Sequence, residues 1–181
     1  PYESCNLGSI NLSGMVSGEN GSIRIDYEKM HGTIHDAMRF LDDVIDMNHY
    51  PLPEIRQMTM GNRKVGLGVM GFANMLIRLG IPYDSDEALA VAQEVMSFVQ
   101  EESAVASSHL ARERGPFPNY GVSVFADSGK IPRRNATTTT IAPTGTISII
   151  TGCSSGIEPI FALSFIRNVM DNDHLVEVHP L

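Results

Sequence analysis

Apolar residues recur at intervals of three and four through Tyr27, Met30, Ile34, Met38, Leu41 and Ile45, the spacing that lays one buried stripe along a helix. Asp26 stands where an N-cap carboxylate accepts the first free N–H groups, and Pro51 and Pro53 end the run, so the pattern predicts a helix reaching about His49. A shorter helix is predicted over Met70 to Leu79, closed by Gly80. A long one follows, opened by the capping and dipole-compatible residues Asp84 to Glu87. Leu89, Ala92, Val95, Met96, Val99 and Leu110 would form its apolar face, and Gly115-Pro116 its end. Val65 to Val69 reads as a short strand or strand-like turn. Thr137 to Ile141, β-branched at every position, reads as a strand, and Ile160 to Ile166 as another. Residues 4 to 12 are small and uncharged, which suggests a buried segment near a site. Long helices alternating with short apolar strands indicate an α/β fold with buried parallel strands and no internal repeat.

With 181 residues, 43% of them hydrophobic and 19% charged, the chain can bury one core and is far from the disordered range. Its net charge of −8 argues against a nucleic-acid polymer as partner, because such affinity rests on clustered Lys and Arg. Small anions bound by local features stay open. Two cysteines, Cys5 and Cys153, are too few for a disulfide scaffold or a CxxC zinc site and point to a cytoplasmic protein. No apolar run is long enough for a membrane span, and no leader opens the chain. The sequence starts on Pro1 and ends on Leu181 with no polar tail, so it is expected to lie inside a longer polypeptide.

Four features carry candidate chemistry. Gly66-Leu67-Gly68-Val69-Met70-Gly71 matches the dinucleotide fingerprint GxGxxG, which would make an NAD(P) oxidoreductase. A turn precedes it rather than a full strand, and Asp84 falls in a capping turn, so close backbone packing before a helix is the better reading. His31 and His35 lie one helical turn apart, but the helix supplies no third ligand, so a solvated face and no metal is expected. In TTTTIAPTGTISIITGCSSG, residues 137 to 156, a strand ends, Pro143 turns the chain, and Thr144-Gly145-Thr146-Ile147-Ser148 can start a helix. Its unpaired N–H groups and three hydroxyls suit a phosphate, although the GK[ST] ending of a triphosphatase loop is missing. A plain helix cap is the competing reading. Cys5, among small residues, fits either a reactive thiol or an inert one.

Three blocks, Tyr2 to Leu12, Val65 to Phe72, and Ile141 to Ser148 with Ser154 to Pro159, together resemble the catalytic subunit of ribonucleotide reductases in order and approximate spacing. The first and third are most similar to the adenosylcobalamin-dependent class. The resemblance implies that residues 1 to 181 are one partial domain, roughly the second half of a ten-stranded α/β barrel. It implies that Cys5 is one of two cysteines that reduce the substrate and are reset by a thioredoxin-type reductant. Pro143, Thr144, Gly145, Thr146, Ile147 and Ser148 would hold the phosphates of a ribonucleotide substrate. Adenosylcobalamin is the implied cofactor, bound largely outside this chain, and a homodimer the implied assembly. The radical-cysteine motif would precede Pro1, so the chain by itself is expected to be inactive. A free-standing phosphate-binding module is the alternative of a different class.

Overall fold

The computed structural model describes residues 1–18, 22–126, 129, 131–169 and 173–178. The chain opens with β1 (Asn6–Asn11), a 3-10 turn (Leu12–Met15) and an antiparallel pair, β2 (Val16–Ser17) and β3 (Arg24–Ile25), before α1 (Tyr27–Met47). α2 (Pro53–Asn62) leads into β4 (Val65–Met70), α3 (Phe72–Leu79) and α4 (Asp86–Arg114). A second 3-10 turn (Pro118–Val122), an extended segment, α5 (Gly145–Thr151) and the hairpin β5 (Ser164–Val169) and β6 (Asp173–Val178) complete it.

β1 lies parallel to β4, with Asn6 opposite Val65 and Asn11 opposite Met70. The segment 137–140 runs along the other edge of β4 in the same direction. α1 connects the first two and α4 the last two. Both helices therefore point the same way and pack side by side: Tyr27 meets Glu94, His31 and His35 meet Glu102, and Arg39 meets Glu113. Met30, Ile34, Met38 and Ile45 of α1 close over Val65, Leu67 and Val69, all buried. The predicted α1 stripe and its Asp26 cap are those observed, the Asp26 carboxylate accepting from the Lys29 N–H. The described strands form an open layer, with no closure into a barrel. Among the described residues no helix is long and apolar enough to cross a membrane.

Three expectations need correction. Thr137 to Ile141 is not a regular strand. The N–H groups of Val65 and Leu67 find their acceptors on Thr137 and Thr138, one residue apart where a parallel ladder steps by two. The hydroxyl of Thr137 also donates to the Val65 carbonyl, taking an acceptor that the ladder would use. The strand expected from Ile160 starts at Ser164. On α4, Leu89 is exposed, and the buried stripe runs through Ala88, Val95, Val99, Ser103, Ala106, Ser107 and Leu110. Its two serines are satisfied across the interface, Ser103 by the Thr138 hydroxyl and Ser107 by the Asn135 carboxamide.

The GxGxxG run is now explained by packing. Gly66 and Gly68 lie inside β4, not in a turn that could receive a pyrophosphate. A Cβ on Gly68 would stand 2.9 Å from the Thr140 carbonyl oxygen, and one on Gly66 2.8 Å from the Leu7 side chain. These glycines let both neighbours approach β4, which removes the NAD(P) reading. Under α1 lies a charged cluster in which Asp42 and Arg63 are almost wholly buried. Asp42 Oδ1 accepts from Arg63 Nε and Asn135 Nδ2, each at 2.9 Å, and Oδ2 from Arg114 and Arg134, each at 3.3 Å.

Candidate functional site

Beyond the C-terminal ends of the parallel segments, where α/β sheets commonly bind ligands, the chain from Pro143 to Gly156 folds into one knot. Thr144 caps α5 in the left-handed conformation, φ 56° and ψ 25°, an uncommon state for a β-branched residue. What holds it is its own side chain: Oγ1 accepts from the Gly156 N–H at 2.6 Å. Gly156 is also left-handed, φ 45°, and a Cβ there would stand 2.9 Å from the Ala142 carbonyl oxygen. Ser148 Oγ pairs with Ser155 Oγ at 3.0 Å. The knot is fastened to the turn between β4 and α3, where the Gly71 N–H donates to the Ser154 carbonyl at 2.8 Å and the Asn74 side-chain oxygen accepts from the Ser154 N–H at 2.7 Å.

This bonding divides the expected phosphate ligands. The hydroxyls of Thr144 and Ser148 are committed to the loop itself. Thr146 is exposed, and among the described residues its hydroxyl makes no hydrogen bond. α5 has no side-chain cap, and Gly145, Thr146 and Ile147 are all exposed. Their N–H groups open the helix and carry its positive end outward. Gly145 has no heavy atom within 4 Å of where a Cβ would sit, so an anion can come up to its backbone. The Ser154 hydroxyl, by contrast, is buried without a partner among the described residues.

Cys5 is not part of this knot. It precedes β1 at the N-terminal end of the parallel layer, exposed, with the Thr137 hydroxyl and Lys64 nearby. Partial desolvation pushes its thiol pKa up, against the pull of Thr137 and Lys64. The cysteine that belongs to the knot is Cys153, whose sulfur lies 3.2 Å from the Thr151 hydroxyl and stands close to Gly71. Sequence reasoning missed Asn74 as the side chain that braces this corner; a carboxamide inside an otherwise apolar run was the available signal. It also missed Glu102, which α4 brings onto His31 and His35 from a distant part of the sequence.

Comparison with known proteins shows the family. The family model for the ribonucleotide reductase barrel domain matches residues 1–181. The vitamin B12-dependent ribonucleoside-diphosphate reductase of Thermoplasma acidophilum is 58% identical across all of this chain, which covers 23% of that protein. A reductase of the same name from Mycobacterium tuberculosis is 51% identical over 99% of this chain and 25% of its own length. The ribonucleoside-diphosphate reductase subunit alpha of Chlamydia pneumoniae is 34% identical over 95% of this chain and 20% of its own length. The chain thus spans about a quarter or less of the relatives it matches. It belongs to the ribonucleotide reductase barrel-domain family.

Proposed function

We propose that this chain is the part of a cobalamin-dependent ribonucleoside-diphosphate reductase that anchors the substrate's phosphates and supplies one reducing thiol. The observation that carries the anchor is the uncapped, outward-facing start of α5, held on the C-terminal side of the parallel layer by the bond from the Gly156 N–H to Thr144 Oγ1. Three exposed N–H groups and the Thr146 hydroxyl make a seat for the phosphates of a ribonucleotide, with Pro143 turning the chain into it and Ile147 completing the first helical turn. Ser148 and Thr144 act as braces, not direct ligands.

Reduction replaces the ribose 2′-hydroxyl by hydrogen and releases water. Two thiols supply the two electrons and become a disulfide. Cys5 is one of them, and the disulfide is reset by exchange with a thioredoxin-type dithiol. The cavity beside Cys153, about 380 Å³, is on the scale of a drug-sized ligand and does not fit adenosylcobalamin. The radical source therefore binds elsewhere in the whole enzyme, and no step here runs through it. The open parallel layer is read as part of the ten-stranded barrel, residues 1 to 181 forming one portion of a single domain. The whole enzyme is read as a cytoplasmic homodimer.

The test is made in the intact subunit. Gly145→Val should reduce nucleotide affinity and turnover at least tenfold with an unchanged melting temperature, since space around Gly145 is open in the protein itself. Cys5→Ser should permit radical formation while abolishing multiple turnover with a dithiol. Unchanged affinity in Gly145→Val would make α5 a mere helix cap, and undiminished turnover in Cys5→Ser would remove that thiol from the chemistry.

A further inference from the structure

α1 and α4 bring together three side chains of metal-binding type. His31 and His35 stand one turn apart on α1. Glu102 reaches them from α4, its Oε2 lying 2.8 Å from His31 Nδ1 and 3.1 Å from His35 Nε2. The three ligand atoms all fall within 4.8 Å of one another, and the two rings are 4.3 Å apart, tilted at 39°. We propose that His31, His35 and Glu102 bind one divalent transition-metal ion of the zinc type, clipping α1 to α4.

Two imidazole nitrogens and one carboxylate oxygen form a borderline donor set, suited to Zn²⁺ or Co²⁺; Ca²⁺ and Mg²⁺ prefer oxygen cages. Bonds of ~2.0–2.1 Å to a tetrahedral ion separate its ligands by about 3.4 Å. The two Glu102 contacts, at 2.8 and 3.1 Å, must open to that distance and the two histidine nitrogens, within 4.8 Å of one another, must settle to it, through χ rotations of exposed or half-buried side chains. His31 is 53% exposed, which gives the ion a path in and leaves a coordination position toward solvent. Because the ligands come from helices far apart in sequence, the site exists only in the folded chain. Binding must then raise stability.

The experiment uses this chain with Cys5→Ser and Cys153→Ser, so that thiolates cannot take the ion. Co²⁺ titration at neutral pH should give one ion per chain with the visible absorption of low-coordinate cobalt, displaced by Zn²⁺, and Zn²⁺ should raise the melting temperature. His31→Gln, His35→Gln and Glu102→Gln should each weaken Zn²⁺ binding at least tenfold and erase that rise, with helical circular dichroism unchanged. His49→Gln serves as the control and should behave as the parent. No saturable Co²⁺ spectrum in the folded parent, or binding that survives all three substitutions, would overturn the site and leave the cluster a histidine–glutamate ion pair.

Discussion

Asp42 is fully buried, and its carboxylate takes hydrogen bonds from Arg63, Asn135, Arg114 and Arg134. Removing the anion would leave Arg63, itself 2% exposed, with only Asp46 as carboxylate partner among the described residues. Asp42→Ala should therefore cost about 3–5 kcal/mol, the usual penalty for orphaning half of a buried pair, measurable by urea unfolding. Thr144 offers a finer test. Thr144→Ala keeps the unfavourable left-handed backbone and loses the 2.6 Å bond to Gly156, for about 1 kcal/mol or somewhat more. Thr144→Gly loses the same bond but relieves the backbone, so it should be the more stable of the two. Neither role was legible in the sequence. Nothing in Ala-Pro-Thr-Gly marks the threonine, not the adjacent glycine, as the residue with positive φ, because the deciding bond comes from a residue twelve positions away. Cys5 was legible as a candidate, but its raised pKa depends on neighbours that only the fold assembles.

At the scale of elements, helices were read more faithfully than strands. α1 and its cap follow from spacing and one aspartate, and α4 begins where Asp84 to Glu87 announced it. Its cap is Ser85, whose hydroxyl accepts from the Ala88 N–H at 3.1 Å. Ser85→Ala should cost about 1 kcal/mol, seen as a lower urea midpoint with an unchanged slope. The strands failed where a partner, not a propensity, decides the geometry: β-branched content promised a ladder over Thr137 to Ile141, and the Thr137 hydroxyl interrupts it. β4 is a strand because its glycines admit close neighbours. Gly68→Ala, which sets a methyl 2.9 Å from a backbone oxygen, should destabilise by about 1–3 kcal/mol, again by unfolding. Acid acts through the links between elements. Lys64 and Asn62 hold the Glu3 carboxyl below its ordinary 4.5, and Arg63 holds Asp46 below 3.8. Folded values below unfolded ones mean that both groups stabilise the chain fully above those ordinary values and lose the contribution as pH falls through the folded ones. The melting temperature should hold steady from pH 7 to about 5.5 and drop below about 4.5, with a shallower drop in Asp46→Asn.

For the whole molecule, the exposed apolar side chains are concentrated after α5 begins: Ile149, Ile150, Phe161, Leu163, Ile166, Val176 and Val178 are all exposed. A surface of that kind is usually covered by a partner or by further chain, so the 181-residue chain alone should self-associate in sedimentation experiments at micromolar concentration. A clean monomer with a cooperative melt would count against its being one portion of a barrel. The α/β class was legible in the alternation of elements, whereas the pairing of β1 with β4, and of β4 with the segment 137–140, was not, since pattern alone carries no register. That pairing has a cost in time. Every strand contact in the parallel layer joins residues about sixty or more positions apart, so no local hairpin can nucleate it, and closing such loops comes before any reward in hydrogen bonds. At synthesis rates of ~5–20 residues per second, β1 waits roughly 3–12 seconds for its neighbour to emerge from the ribosome. During that wait α1, with its apolar stripe complete and nothing yet to cover it, is the segment most in need of a chaperone.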